Sequence, residues 1–476
     1  MTNINILTLL MCCLISCTTS HPTKNHIQPN IILIMADDLG WKELGSYGQK
    51  KIKTPHLDQM AKEGMRFTQF YAGSAVCAPS RCNLMTGKHG GHAFVRNNLE
   101  IKNNDPDFYG GQHPLPESEI TVAELLQKNG YVTGCFGKWG LGAIGSTGDP
   151  LKKGFDRFYG YNCQRNAHNL YPKYLESDNT TVSLKGNTRS QTGKLYAPQL
   201  IADEMITFIK NNKDKPFFCY YPTVIPHLPL QAPKEDIKKY VGLWDETAYT
   251  GKYYQKHDLP RACYAAMISF MDKQIGRLYK TLKDLDIDNN TLVLFTSDNG
   301  TTYLKGQVDY DFFQSVGPLR GLKGSLHEGG IRVPLIVRWK GKIKENSVSD
   351  HISANYDIFN TLLDITNIKH SVTTDSLSFK ATLLNSPQKQ KKHDYLFWDF
   401  IGYSGQLAIR KGKWKAIKKN LIKNPNAPLE LYNLNSDISE SKNISTQHPD
   451  IVKAMEKIML EARTKPSVKN FQFGKY

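Results

Sequence analysis

An unbroken apolar run, Ile31 to Ala36, stops abruptly on two acids, Asp37 and Asp38, in "NIILIMADDLG". A strand with one wet face would alternate apolar and polar residues. A run without alternation must be covered on both faces, which is the situation of a strand inside a parallel sheet. The two acids then fall at its C-terminal tip. The same grammar returns along the chain. "TPHLDQMAKEG" predicts a helix with Thr54 as N-cap, Pro55 at the first helical position and Gly64 as the stop. "TVAELLQKNG" carries a capping box, Thr121 to Glu124, and leads into the strand "YVTGCFGKWG". The helix "PQLIADEMITFIKNN" precedes the strand "PFFCYYPTV", and a long helix from Arg261 to Leu285 precedes "TLVLFTSDNG". Strand–helix alternation of this kind predicts an α/β domain with a large, mostly parallel sheet flanked by helices. In such sheets the site lies beyond the C-terminal strand ends. Those ends carry Asp37-Asp38, Gly137-Lys138, His227 and Asp298-Asn299.

The pattern changes after residue 370. "QLAIRKGKWKAIKK" and "LELYNLN" read as antiparallel strands, and "HPDIVKAMEKIMLEART" as a closing amphipathic helix. A smaller C-terminal α+β subdomain with an antiparallel sheet is therefore expected over 371–476, after a catalytic domain over 30–370. At the other end, the apolar run Ile4 to Ile15 is too short to span a bilayer and fits the core of a signal peptide over 1–16, although no Lys or Arg precedes it. It ends in Leu14-Ile15-Ser16-Cys17, which resembles a bacterial lipoprotein box. Cys17 is thus expected to be lipidated and followed by a linker over 17–29. The protein would be exported and lipid-anchored to the bacterial cell envelope, or secreted if the box is not used.

Lys and Arg number 61 against 44 acidic residues, a net charge of +17. Such an excess favours polyanionic partners. No nucleic-acid motif is present, and export points instead to an acidic polysaccharide. A lysine-rich solvated surface with no partner is the alternative. Six cysteines follow Cys17: Cys77, Cys82, Cys135, Cys163, Cys219 and Cys263. Disulfides are permitted in an exported protein, but the spacings match no zinc pattern, and most are expected to be buried thiols.

The chemistry concentrates at the strand ends. Two acidic pairs in one cleft repel and are costly to bury, and a divalent cation removes the conflict. Three carboxylates (Asp37, Asp38, Asp298) and one carboxamide (Asn299) are hard oxygen ligands suited to Ca²⁺, with Mg²⁺ second. Arg81, Lys138, His227 and Lys323 would converge beside the ion and stabilise a developing oxyanion. Cys77 opens "CAPSR", where Pro79 and Ser80 suit the first turn of a helix whose amides favour a reacting anion. A thiolate nucleophile is one possibility, yet its surroundings are metal ligands and cations rather than a His base.

"CAPSR" followed by "LMTGKH" resembles the signature C-x-P-S-R-x-x-x-[LM]-T-G of the formylglycine-dependent type I sulfatases, arylsulfatase-like members of the alkaline phosphatase superfamily. "GFDRFYGY", "PHLPLQAP", "LFTSDNG", "GLKGSLHEGGIRVPLIVRWKG" and "LELYNLNSDISESKNIS" resemble further family blocks in family order, over about residues 30 to 460. The resemblance implies a sulfuric ester hydrolase. It implies that a separate maturation enzyme oxidises Cys77 to formylglycine (3-oxoalanine), and that the hydrated aldehyde attacks sulfur with one hydroxyl and expels sulfate through the other. It also implies Ca²⁺ held by Asp37, Asp38, Asp298, Asn299 and the modified Cys77, with Arg81 orienting the formylglycine. Lys138 and Lys323 would hold sulfate oxygens, His227 would contact the sulfate or the leaving group, and Ser80 would direct the modification or hydrogen-bond nearby. The implied substrates are sulfated polysaccharides or their oligosaccharides, such as algal ulvan or carrageenan, or glycosaminoglycan. A phosphatase or phosphodiesterase of the same superfamily, and a non-catalytic glycan-binding lipoprotein with Cys77 unmodified, are the competing functions.

One position departs from the family pattern. Many members read G-K-W-H-L-G, whereas this chain has Gly140 in "GKWGLG". His168 is a candidate replacement for the missing base, and Gln164 aligns roughly with a sulfate-binding position. Tyr159, Tyr161 and Tyr171 nearby would either stack on sugar rings or fill the core.

Overall fold

The computed structural model describes residues 28–101 and 110–476. The expected signal segment, Cys17 and most of the 17–29 linker lie outside the described residues. Among the described residues the main sheet has ten strands. Five neighbouring strands are parallel, in the spatial order Thr291–Ser297, Asn30–Ala36, Phe217–Pro222, Val132–Lys138 and Arg157–Tyr161. Antiparallel strands extend both flanks, Leu335–Arg338 beside Thr291–Ser297 and Tyr174–Ser177 beside Arg157–Tyr161.

The pleat explains the unbroken apolar run. Ile32, Ile34 and Ala36 face one core, shared with the helices Ala197–Asn211 and Pro260–Asp284. Ile31, Leu33 and Met35 face the other, shared with the helices Cys77–Thr86 and Asp357–Thr366. The result is a three-layer α/β/α sandwich whose central strand has no wet side.

The expected capping box at Thr121 forms, with Glu124 N–H donating to Thr121 Oγ1 at 3.1 Å and Thr121 N–H to Glu124 Oε2 at 2.9 Å. Thr54 occupies its expected N-cap position, but its side chain does not cap the helix Pro55–Lys62. Its hydroxyl donates to Asp58 instead, and the first amides of the helix, His56 and Leu57, donate to Asp272 at 3.1 and 2.8 Å. The cap comes from a neighbouring helix, and no local spacing announces it.

The four-stranded antiparallel sheet Leu396–Phe400, Gln406–Lys411, Trp414–Lys418 and Glu430–Asn433 follows. One face packs on the helix Pro449–Glu461 through Ile409, Leu431, Met455 and Met459. The other packs on Tyr71, Ala75, Val76 and Leu326, segments that lead directly into the site. Trp398 Nε1–H donates to the Ala72 carbonyl at 2.9 Å. Lys415, fully buried, donates to Glu328 at 2.8 Å, so a buried ion pair joins the small sheet to the helix Glu328–Ile331. The C-terminal sheet thus braces the residues on either side of the strand ends.

Candidate active site

The parallel strands deliver their tips to one point. Asp37 and Asp38 follow Ala36, and the chain turns away at once because Asp38 adopts a left-handed conformation (φ 65°). Asp298 and Asn299 follow Ser297 on the neighbouring strand. Asp38 N–H donates to Asp298 Oδ1 at 3.1 Å and Asn299 Nδ2 to Asp38 Oδ1 at 2.7 Å, which ties the two acidic pairs together. Lys138 ends its own strand and donates to Asp37 at 2.7 Å. Lys323 reaches in from the loop after Asn299 and donates to Asp38 Oδ2 at 2.8 Å. Arg81 lies one helical turn beyond Cys77, bonds Asp298 Oδ2 at 3.1 and 2.8 Å, and donates to the Lys138 carbonyl at 2.5 Å.

Cys77 is the first residue of the helix Cys77–Thr86 and is buried. Its Sγ stands 3.4 Å from Asp37 Oδ1 and 3.5 Å from Lys323 Nζ. Burial pushes its thiol up to about 12 despite Lys138 and Lys323, so the unmodified side chain is no thiolate at neutral pH. Ser80, one turn on, is held by Asn355 Nδ2 at 2.8 Å. All six described cysteines are buried and unpaired, as expected.

His227 Nδ1 lies 2.6 Å from the Leu228 carbonyl, so Nδ1 carries the proton and Nε2 points into the cluster, 3.6 Å from Asp38 Oδ2. Two lone-pair atoms face each other there. Asn299 Oδ1 is buried with no partner. Asp37, Asp38, Cys77 and His227 bring ligand atoms within 4.8 Å of one another. Facing acceptors and an orphaned carboxamide oxygen fit a hard cation. His227 joins this group although the sequence had placed it only among substrate contacts. Asp298 lies outside that group: its Oδ1 accepts from Asp38 N–H and its Oδ2 from Arg81. Burial and the neighbouring Asp37 raise its carboxyl to about 6. Burial works the same way on Asp37 but is overcome by Lys138 and Arg81, which hold it well below the usual carboxylate range.

His168 does not touch the cysteine. Its ring stacks on His227 at 4.9 Å between centroids and 13° between planes, with Tyr254 edge-on at 5.8 Å. Burial keeps it neutral, well below its ordinary value. Gln164 is brought to Gly140: a Cβ on Gly140 would stand 2.7 Å from Gln164 Nε2. That Nε2 is buried with no partner. The space a side chain at 140 needs is therefore filled from position 164. Gly140 also has φ +75°, whereas Gly145, at φ +79°, has open space around it. Gly140→Ala is expected to destabilise by clearly more than Gly145→Ala, which should cost about 1 kcal/mol from backbone strain alone. Paired thermal melts would show this, and equal shifts would mean that Gln164 yields freely. Tyr159, Tyr161 and Tyr171 are buried core residues, so stacking on sugars is ruled out for them. Tyr254, Tyr303 and Tyr403 line the cavities around the site instead. No spacing in the sequence singles these three out.

A buried cluster of acids, lysines and arginine at the tips of a parallel sheet, beside a cysteine at a helix start, defines a hydrolase site of the alkaline-phosphatase-like architecture. The family model described as "Sulfatase" matches residues 29–368, and one described as "N-sulphoglucosamine sulphohydrolase, C-terminal" matches residues 322–465. The chain belongs to the sulfatase family and is a sulfuric ester hydrolase. It is 32% identical to rat (Rattus norvegicus) N-acetylgalactosamine-6-sulfatase, over 82% of this chain and 71% of that one. It is 28% identical to N-acetylgalactosamine-6-O-sulfatase of Bacteroides thetaiotaomicron, over 93% and 94%. Among solved structures it is similar to Ps i-CgsB, with TM-score 0.75 and 28% identity over 92% of this chain and 94% of that one.

Proposed function

We propose that this enzyme releases sulfate from the esters of a sulfated polysaccharide or its oligosaccharides, that Cys77 is matured to formylglycine by a separate enzyme, and that the ion is Ca²⁺. The observation that carries this is the placement of Cys77: first in its helix, between Asp37 and Lys323, inside the acidic cluster. Relatives named for sulfated amino sugars, and the structure of Ps i-CgsB in complex with k-i-k-neocarrahexaose (27% identity, TM-score 0.74), support a sulfated glycan as substrate. The calcium assignment rests on the hard oxygens of Asp37, Asp38 and Asn299, with Asp298 beside them.

The protein's own residues divide the work. Lys138 and Lys323 pair with Asp37 and Asp38. Once those carboxylates are shared with a divalent ion, the two ammonium groups are the cations available to sulfate oxygens. Arg81 holds Asp298 and the Lys138 carbonyl, which fixes both the acid and the lysine strand tip. His227 presents Nε2 toward the cluster and contacts the sulfate or the departing oxygen. His168, kept neutral, backs that ring. The formyl group supplies, as its hydrate, an oxygen nucleophile and an exit for sulfate that needs no second attack at sulfur. The ion supplies Lewis-acid polarisation of the oxygens it binds. We also propose that the protein works from the cell envelope, anchored through Cys17.

The test is sulfate release, read by ion chromatography, from carrageenan, ulvan and chondroitin 6-sulfate oligosaccharides, beside phosphate release from 4-nitrophenyl phosphate. Sulfate release from at least one glycan, far outpacing phosphate, is expected. The opposite preference would make the protein a phosphatase of the same fold.

A further inference from the structure

Two cavities meet at Tyr303. The first, about 730 Å³, is lined by His168, Tyr253, Tyr254 and Gln255. The second, about 740 Å³, is lined by Lys323, Gly324, Leu322 and Tyr403. Tyr303 lines both. Each touches the active site through a different residue: the first through His168, stacked on His227, and the second through Lys323, bonded to Asp38. The sulfate-handling cluster is therefore flanked by two spaces that share Tyr303. Each space is within the size range of pockets that enclose a drug-sized ligand, about 300–1,000 Å³.

The second cavity is built with care around one aromatic side chain. Tyr403 sits at the tip of the hairpin joining the strands Leu396–Phe400 and Gln406–Lys411. Tyr403 and the next residue, Ser404, are both left-handed, at φ 52° and 70°. Non-glycine residues hold that conformation only where surrounding contacts enforce it. Those contacts are present. A side chain at Gly324 would collide with the Tyr403 ring, so the glycine after Lys323 is the seat of that ring. Gln406 Nε2 donates to the Gly324 carbonyl at 2.8 Å and its Oε1 accepts from Leu326 N–H at 3.3 Å. The hairpin is thus clamped to the loop that carries Lys323. Tyr403 nonetheless remains 55% exposed, and its edge-on partner Tyr303, 5.9 Å away between ring centroids, remains 48% exposed. Two large rings, fixed in place yet open to solvent beside a catalytic-site lysine, suit a pyranose. Its face of C–H groups packs on an aromatic ring, while its hydroxyls reach the ring's polar rim.

We propose that Tyr403 and Tyr303 form a platform for the sugar next to the sulfated one, and that the preferred substrate carries its sulfate on a unit inside a chain, with neighbouring sugars in both cavities. This rests on the sulfatase function proposed above and extends it from the ester to its flanking sugars.

The experiment measures kcat/KM of the full-length protein on 4-nitrophenyl sulfate, on a sulfated monosaccharide, and on the hexasaccharide desulfated fastest in the panel above. Wild type is expected to prefer the hexasaccharide to the monosaccharide by about tenfold or more, and Tyr403→Ala and Tyr303→Ala are each expected to lower the hexasaccharide-to-nitrophenyl ratio by about tenfold, chiefly through KM. Tyr403→Phe, which keeps the ring, is expected to keep the ratio within about threefold of wild type. An unchanged ratio in both alanine variants, or equal losses on both probes, would overturn the platform. A wild type that desulfates the hexasaccharide no better than the monosaccharide would overturn it while leaving the sulfatase function standing. A wild type that releases sulfate from no probe would bring down both.

Discussion

Cys77→Ala is expected to abolish sulfate release, with kcat/KM falling by at least about 10⁴-fold, the scale on which removal of a nucleophile is felt. The fold should survive. Alanine favours a helix more than cysteine does, and the pairs Lys138–Asp37, Lys323–Asp38 and Arg81–Asp298 do not run through the sulfur. A near-normal melting temperature with no turnover is therefore the expected combination. The companion measurement is the intact mass of the peptide carrying residue 77, where conversion of CH₂SH to an aldehyde removes about 18 Da. Cys82→Ala is the matched control. It lies on the same helix, but its side chain belongs to the apolar core rather than to the acidic cluster, so it should cost stability and leave the chemistry. Full activity in a preparation whose residue 77 is still a thiol would end the proposed mechanism, because a thiol supplies neither the hydrate's oxygen nucleophile nor its exit for sulfate.

Much of this architecture was readable because it rests on local rules. An apolar run with no alternation had to be a strand covered twice, and Ile31 to Ala36 divide strictly between two cores. The capping box at Thr121 formed because its partners are three residues apart. The acids and Lys138 were found because a parallel sheet collects its C-terminal tips. What stayed hidden depends on distant partners. Thr54 was passed over as a side-chain cap because Asp272, more than two hundred residues away, reaches its helix first. Tyr159, Tyr161 and Tyr171 lie close to His168 in the sequence and could equally have stacked on sugars or filled the core, and only the packing of strands and helices around them decides for the core. Gln164 fills the room left by Gly140, a compensation visible only in three dimensions. Tyr403 meets Lys323's loop across about eighty residues, through Gln406 and Gly324.

Removal of the divalent ion is the second large effect, and the charges of the site shape what it should look like. Dialysis against EGTA, followed by exchange into metal-free buffer, is expected to lower sulfate release by at least about 100-fold, with stoichiometric Ca²⁺ restoring it. The protein should nevertheless stay folded. Three carboxylates, Asp37, Asp38 and Asp298, stand against three cations, Lys138, Lys323 and Arg81, and each acid is already within 2.8 Å of a cationic nitrogen. A site whose charges balance without the ion does not fly apart when the ion leaves. Its melting temperature should fall only by what mass action gives for a ligand that binds the folded state. With the ion removed, the lysines that would grip sulfate would be left paired with its ligands. On this logic Asp38→Asn should abolish activity even with Ca²⁺ in excess, since it takes charge from the ion's site and leaves Lys323 without its closest anion. If the metal-free enzyme, verified by elemental analysis, released sulfate at the undiminished rate, Lys138 and Lys323 would be doing their work while still paired to Asp37 and Asp38, and the proposed role of the cation would be wrong.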